Sequence, residues 1–163
     1  MEETHVPLHP KGSVLSFELH GEGEGVLQDV AVAGGPHVVR AEGHPAFGGT
    51  DSAPSPLDLV LAGYVSCNQV TSKIVALGQG VELGAFHGRV DAELDNSVLV
   101  FGAEGNPSFS KVSLTVELET DLDDAAFDAF VAEVSRRCPV TQLLERAGTE
   151  VVSTWTNRVR AAV

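Results

Sequence analysis

Ser55-Pro56-Leu57-Asp58-Leu59-Val60-Leu61-Ala62-Gly63-Tyr64-Val65-Ser66-Cys67-Asn68-Gln69-Val70-Thr71-Ser72-Lys73-Ile74-Val75-Ala76-Leu77 opens with the signals of a helix N-terminus. Ser55 can accept from a free backbone N–H, Pro56 has the fixed φ that suits a first helical turn, and Asp58 places an acid in that turn. Gly78 and Gly80 stop the helix near Leu77. In its first half the apolar residues cover most of the circumference, which predicts burial on every side. The helix is then either wrapped by a sheet or packed against a second copy of the chain. It is not a transmembrane span, because Asp58, Ser66, Asn68, Gln69, Thr71, Ser72 and Lys73 interrupt it.

Upstream of this helix the pattern is strand. Residues 14–19 and 26–32 are rich in β-formers, and Gly21, Gly23 and Gly25 punctuate the gap between them, as in a hairpin. A third strand over 37–41 follows the turn Gly34-Gly35-Pro36, and 42–54 reads as a Gly/Pro-rich loop. Downstream, strands are expected over 81–94 and 109–118, joined by a loop around Gly102 to Pro107. A second helix spans 121–137, with Asp121 available as its cap and Arg136 and Arg137 at the end that favours cations. Cys138-Pro139 starts a short helix that ends near Gly148, and residues 150–158, with the single tryptophan Trp155, make a last strand. The order of elements predicts an α+β chain of one domain, residues 1–163.

Composition bounds the function. The 163 residues carry 10 Lys+Arg against 23 Asp+Glu, a formal charge of −13, with 43% apolar residues. There is enough apolar mass for a core, and the acidic surface repels phosphate backbones and anionic lipids, so neither nucleic acid nor membrane is an expected partner. Met1-Glu2-Glu3-Thr4-His5 lacks the apolar core of a signal peptide, which makes the cytoplasm the expected compartment.

Little special chemistry is available beyond two cysteines, Cys67 and Cys138. In a reducing compartment such a pair is either two small buried side chains or a redox couple, and the count does not decide between them. Cys138 stands before a Pro-started helix and beside Arg136 and Arg137, where both the helix dipole and the cations favour a thiolate. Cys67, in mid-helix, has no dipole end, so any activation must come from a tertiary partner. The six histidines (His5, His9, His20, His37, His44, His87) show no metal-ligand spacing, and no metal or other cofactor is expected. The glycine clusters lack the Lys, Ser or following helix of a phosphate loop, and there is no G-x-S-x-G elbow.

The segments Gly48-Gly49-Thr50-Asp51, Pro54-Ser55-Pro56-Leu57-Asp58-Leu59, Ala62-Gly63-Tyr64 and Cys67, with Arg137-Cys138-Pro139-Val140-Thr141 about seventy residues beyond, resemble the OsmC/Ohr family. These are the osmotically inducible and organic hydroperoxide resistance proteins. The resemblance covers nearly the whole chain in element order. It implies an α+β sandwich in which two chains intertwine as a homodimer around the cysteine-bearing helices, and thiol-dependent reduction of organic hydroperoxides. By motif, Cys67 resembles the peroxidatic cysteine and Cys138 the resolving one. In the family an Arg of the N-terminal hairpin and a Glu directly after the helix-opening Pro activate the first cysteine. This chain departs at both places: Leu57 follows Pro56, and the hairpin reads Gly21-Glu22-Gly23-Glu24-Gly25. Arg40, Arg89 and Arg137, with Arg136, are the candidate replacements, and Leu57 and Tyr64 are candidate pocket residues for a bulky organic hydroperoxide.

Three readings follow from these residues. The first is a peroxidase recharged by a dithiol reductant. The second is a protein of the same fold that holds a small apolar ligand at the dimer interface without turnover, for which plain packing of Tyr64 and silent, buried cysteines suffice. The third is a redox sensor whose disulfide acts on a partner.

Overall fold

The computed structural model describes residues 14–159 and divides the chain into two compact units, one up to Pro56 and one from Leu57 onward. In the first unit, β1 (Leu19–Glu24), β2 (Leu27–Val32) and β3 (Val38–Glu42) form an antiparallel sheet in that order. The first strand lies later than the pattern predicts: residues 14–18 are outside it, and Gly21-Glu22-Gly23-Glu24 is strand, not turn. Register explains the shift. Leu19 pairs with Val32 and Glu24 with Leu27, which leaves a two-residue turn at Gly25-Val26. Only Gly25, at φ +63°, needs glycine for its backbone. Gly23 serves a different purpose, since a Cβ there would meet the Leu27 carbonyl and Gln28 on the paired strand.

A single 3-10 turn, Pro45–Phe47, follows β3. Beyond it the loop is held from below by Glu42, whose carboxylate accepts from Thr50 Oγ1 (2.9 Å), Ser52 N (2.7 Å) and Ser52 Oγ (3.0 Å). The Glu42 backbone N–H donates to Pro54 O at 3.0 Å, closing the loop just before the long helix.

The second unit contains α1 (Pro56–Gln79), β4 (Leu83–Glu93), α2 (Ser97–Phe101), β5 (Lys111–Thr120), α3 (Asp124–Arg137), α4 (Pro139–Arg146) and β6 (Glu150–Val159). β4 and β5 are antiparallel, with a bulge between Leu83 and Phe86, whereas β5 and β6 run parallel. A parallel neighbour demands a crossover, and α3 with α4 supplies it. β5 is therefore the middle strand, and alternation puts Val112, Leu114, Val116, Leu118 and Thr120 on one buried face. Phe127, Phe130 and Val134 of α3, Leu144 of α4, and Tyr64, Val75 and Ala76 of α1 complete that core. Each large side chain so enclosed contributes roughly 1.5–3 kcal/mol.

Three details qualify the sequence expectation. α1 is buried along one stripe (Tyr64, Asn68, Thr71, Ser72, Val75, Ala76), while Val60, Val70 and Leu77 stay exposed, so the described residues bury one side of the helix and leave the other for a second copy of the chain, the alternative that the sequence also offers. α3 is capped by Asp123, whose Oδ1 accepts from Ala126 N at 2.8 Å, and not by Asp121. The stretch after β4 is not only loop: Asp95 Oδ1 accepts from Ser97 N at 2.9 Å and Gly102 at φ +67° closes the other end of the five-residue α2.

A two-thiol candidate active site

Cys67 lies at the middle of α1, and Cys138 is the residue between α3 and α4, serving as C-cap of one and N-cap of the other. Pro139 at the first position of α4 costs nothing there, because that N–H has no helical partner. The chain reverses at Cys138 and brings its thiol beside that of Cys67, close enough for each to act on the ionisation of the other. Both are free thiols; Cys67 is half-buried and Cys138 is fully buried.

The two sulfurs sit in unequal surroundings. Burial pushes the Cys67 thiol up, and the neighbouring Cys138 adds to this, against partial relief from the Val140 N–H and the Thr71 hydroxyl. Burial also opposes ionisation of Cys138, but there it is outweighed. The Thr141 hydroxyl and N–H, the Cys67 thiol and the Val140 N–H together hold Cys138 below the ordinary thiol range, although its sulfur closes no formal capping hydrogen bond. Two of these donors are first-turn N–H groups of α4, which have no partner within the helix.

A polar network behind the sulfurs fixes this arrangement. Asn68 Nδ2 donates to Tyr64 O at 2.9 Å and to Thr141 Oγ1 at 3.4 Å, and Ser72 Oγ donates to Asn68 O at 2.8 Å. Asn68, Ser72 and Thr141 are all buried. Tyr64 is 1% exposed, its phenol meets Thr141, and burial pushes its pKa up to about 12.

Of the residues the sequence singles out, Cys67, Cys138 and Tyr64 come together. Tyr64 does so as a core residue against Thr141. Leu57 packs on the edge of the core ten positions before Cys67, about 15 Å along the helix axis. The arginines are occupied by carboxylates. Arg40, in the first unit, makes two 2.7 Å contacts with Asp29, and Arg89 reaches Asp91 at 2.9 and 2.7 Å. Glu133 takes Arg136 at 2.7 Å and Arg137 at 3.8 Å, so neither cation beside Cys138 in sequence turns to its sulfur. Among the described residues no three of His, Cys, Asp and Glu converge on a possible metal site, and His5 and His9 lie outside those residues. Sequence reasoning assigned no role to Asn68, Thr71 or Thr141. The available signal was a polar residue, Asn68, on the stripe of Tyr64 and Val75, and a hydroxyl at the third position of a helix that begins with cysteine and proline.

Comparison with known proteins bears on the whole arrangement. The model of the OsmC-like protein family matches residues 49–153, a span that includes both cysteines. No curated protein sequence matches the chain. Among solved structures, an OsmC-like protein from Mycoplasma pneumoniae superposes with a TM-score of 0.74 at 15% identity, over 88% of this chain and 97% of its own. An organic hydroperoxide resistance protein from Elizabethkingia anophelis gives 0.70 at 17%, over 90% and 99%. The OhrB organic hydroperoxide resistance protein of Bacillus subtilis gives 0.59 at 21%, over 88% and 100%. At these identities the likeness carries the α+β fold. No helix among the described residues is long and apolar enough to cross a membrane. The family match covers well over half of the sequence and both thiol-bearing segments, and this chain belongs to the OsmC-like protein family.

Proposed function

We propose that this protein is a thiol-dependent peroxidase that reduces organic hydroperoxides through Cys67 and Cys138. One observation carries the reading: two free cysteines, distant in sequence, lie side by side against a polar network, the half-buried Cys67 being the more exposed of the two. Cys67 attacks the hydroperoxide and becomes a sulfenic acid, Cys138 condenses with it to a disulfide, and an external dithiol restores both thiols. The protein works as a cytoplasmic homodimer, and the exposed Val60, Val70 and Leu77 of α1 support a second copy seated on that helix. An apolar wall built there favours bulky organic hydroperoxides over hydrogen peroxide.

The test is consumption of cumene hydroperoxide by the purified protein with a dithiol, alongside Cys67→Ser and Cys138→Ser. Turnover in the wild type that is lost in Cys67→Ser is the expected result. A wild type that forms the disulfide with peroxide but does not turn over with dithiols supports a redox sensor instead. The engagement of Arg136 and Arg137, the cations beside Cys138 in sequence, by Glu133 favours that second reading.

A further inference from the structure

We propose that the cavity between the second half of α1 and the start of β4 binds a small organic monocarboxylate, with its apolar body against Leu83, Phe86 and Leu118 and its carboxylate on Lys73 and Gln69. The inference is independent of the peroxidase reading and concerns a different flank of α1. At about 100° per residue, Gln69, Ser72 and Lys73 lie about 200°, 140° and 240° round the helix from Cys67, so the cavity they line faces away from that thiol.

A bulge builds the apolar wall. Leu83 and Phe86 are three positions apart, and in a regular strand they would face opposite sides of the sheet. Here Leu83 pairs with Thr120 and Phe86 with Leu118, so the bulge between them brings both to the buried face of β5. The bulge has its own fastening. Ala85 N donates to Glu119 Oε2 at 3.1 Å, and Gly84 passes the Glu119 carboxylate where a Cβ would collide with it. Re-aiming side chains in this way is a recognised use of a bulge. The space enclosed is about 210 Å³, short of the roughly 300–1,000 Å³ of pockets that take drug-sized molecules, so the occupant is small.

The polar rim selects the charge. No Asp or Glu lines the cavity, in a chain with 23 Asp+Glu against 10 Lys+Arg. Among the described residues Arg40, Arg89, Lys111, Arg136, Arg137 and Arg158 each pair with a carboxylate. Arg146 sits in the last turn of α4, where the helix dipole suits a cation. Lys73 has neither kind of partner, and it lines the cavity. The Ser72 hydroxyl is already spent on Asn68 O at 2.8 Å. The donors left for an anion are the Lys73 ammonium and the Gln69 side-chain amide, four positions apart and so neighbours on the helix surface. A carboxylate accepts from both, whereas a cation or a plain hydrocarbon leaves Lys73 alone. One cation in a chain of formal charge −13 suits a single negative charge better than the two of a phosphate.

The test is calorimetric titration of the purified protein with octanoate and, as its uncharged counterpart, octanamide. Octanoate is expected to bind at one site per chain, about tenfold more tightly than octanamide. Lys73→Met, which keeps the apolar stem, should weaken octanoate about tenfold, the loss of one charge-assisted hydrogen bond, and leave octanamide unchanged. Leu83→Phe, which fills part of the cavity, should weaken both ligands. Arg146→Gln removes a cation outside the cavity and should weaken neither. The single tryptophan, Trp155, stands edge-on to Phe86 with ring centroids 6.0 Å apart, so its emission should change with the same midpoint as the heat. Octanoate binding that Lys73→Met leaves unaltered, or that Arg146→Gln weakens as much as Lys73→Met does, overturns the proposal. So does octanamide binding as tight as octanoate, heat without a change in Trp155 emission, or no saturable binding at millimolar octanoate. Each of these failures leaves the peroxidase reading standing, because none of them touches the thiols.

Discussion

Asn68 Nδ2 donates to Thr141 Oγ1 at 3.4 Å, a hydrogen bond that joins α1 to α4 across 73 positions of sequence. It fixes the two segments that carry the thiols relative to one another, one residue away from Cys67 on one side and one helical turn into α4 on the other. The same amide group also donates to Tyr64 O at 2.9 Å.

Asn68→Leu keeps the approximate volume and removes both hydrogen bonds in a site that is 2% exposed. The expected cost is about 1–3 kcal/mol, because the Thr141 hydroxyl loses a donor where water cannot replace it. The urea midpoint measures it. Asn68→Asp separates packing from electrostatics: a carboxylate beside the sulfurs repels a thiolate, so the first step of the thiol titration moves to higher pH.

Glu42 sets an acid limit on the first unit. Its pKa is lowered to about 2 from an ordinary 4.5, chiefly by the backbone N–H groups of Ser52 and Thr50. A carboxyl whose folded pKa is depressed contributes stability that is full above its unfolded value and is lost as pH falls through the folded one. Acid should therefore loosen the 42–54 loop between about pH 4.5 and 2. Glu42→Gln should loosen it at neutral pH and flatten that dependence. Amide exchange at Ser52 is the readout, and a Ser52 amide equally protected in both proteins would refute this account.

How much of this was legible in sequence depends on the range of the forces involved. α1 could be read because its proline and the Gly80 after its last residue act within a turn of the residues they govern; Gly78, read as a stop, lies inside the helix. The start of β1 could not, because its register is set by pairing Leu19 with Val32, and Gly21 and Gly23, which resemble a turn, are instead strand residues beneath a close neighbour. The same holds at the site. Cys138 before Pro139 announces a helix start, but the turning of Arg137 to Glu133 and the approach of Thr141 to Tyr64 are products of packing. Exposure of Val60 and Val70 was hidden for a related reason: an apolar circumference does not say which part of it this chain covers.

Two glycines near the site should respond in opposite directions. A Cβ on Gly88 would lie 2.8 Å from Val65 Cγ1 and 2.9 Å from Phe86 Cε1, where α1 rests on β4. Gly88→Ala should cost about 1–3 kcal/mol through overpacking. A Cβ on Gly63, inside α1, would meet nothing within 4 Å. Gly63→Ala should gain about 0.5–1 kcal/mol from helix propensity. Thermal melts of both, against the wild type, test whether α1 is seated as described.

Arg89 is a surface residue paired with Asp91 two positions away on β4, with its side chain 78% exposed. Arg89→Gln should leave hydroperoxide kinetics and melting temperature unchanged, since an exposed pair of this kind contributes little. A marked fall in the rate of Cys67 oxidation would show that Arg89 leaves Asp91 during the reaction.

Tyr64→Phe tests whether the phenol and Cys138 share the Thr141 hydroxyl. The ring is in the core and remains there, so the substitution removes only the phenol oxygen, at a cost of about 1 kcal/mol. Thr141 favours the ionised form of both Tyr64 and Cys138, and it has one hydroxyl proton to give. With the phenol gone that proton turns to Cys138, so the first thiol step should fall modestly in Tyr64→Phe, whereas it should rise in Thr141→Val. The double variant decides the route. If the phenol acts through the Thr141 hydroxyl, adding Tyr64→Phe to Thr141→Val should produce no further change, because the shared proton is already gone. If the two shifts instead add in full, Tyr64 acts on the sulfur independently of Thr141, and competition for its hydroxyl is not what sets the thiol step.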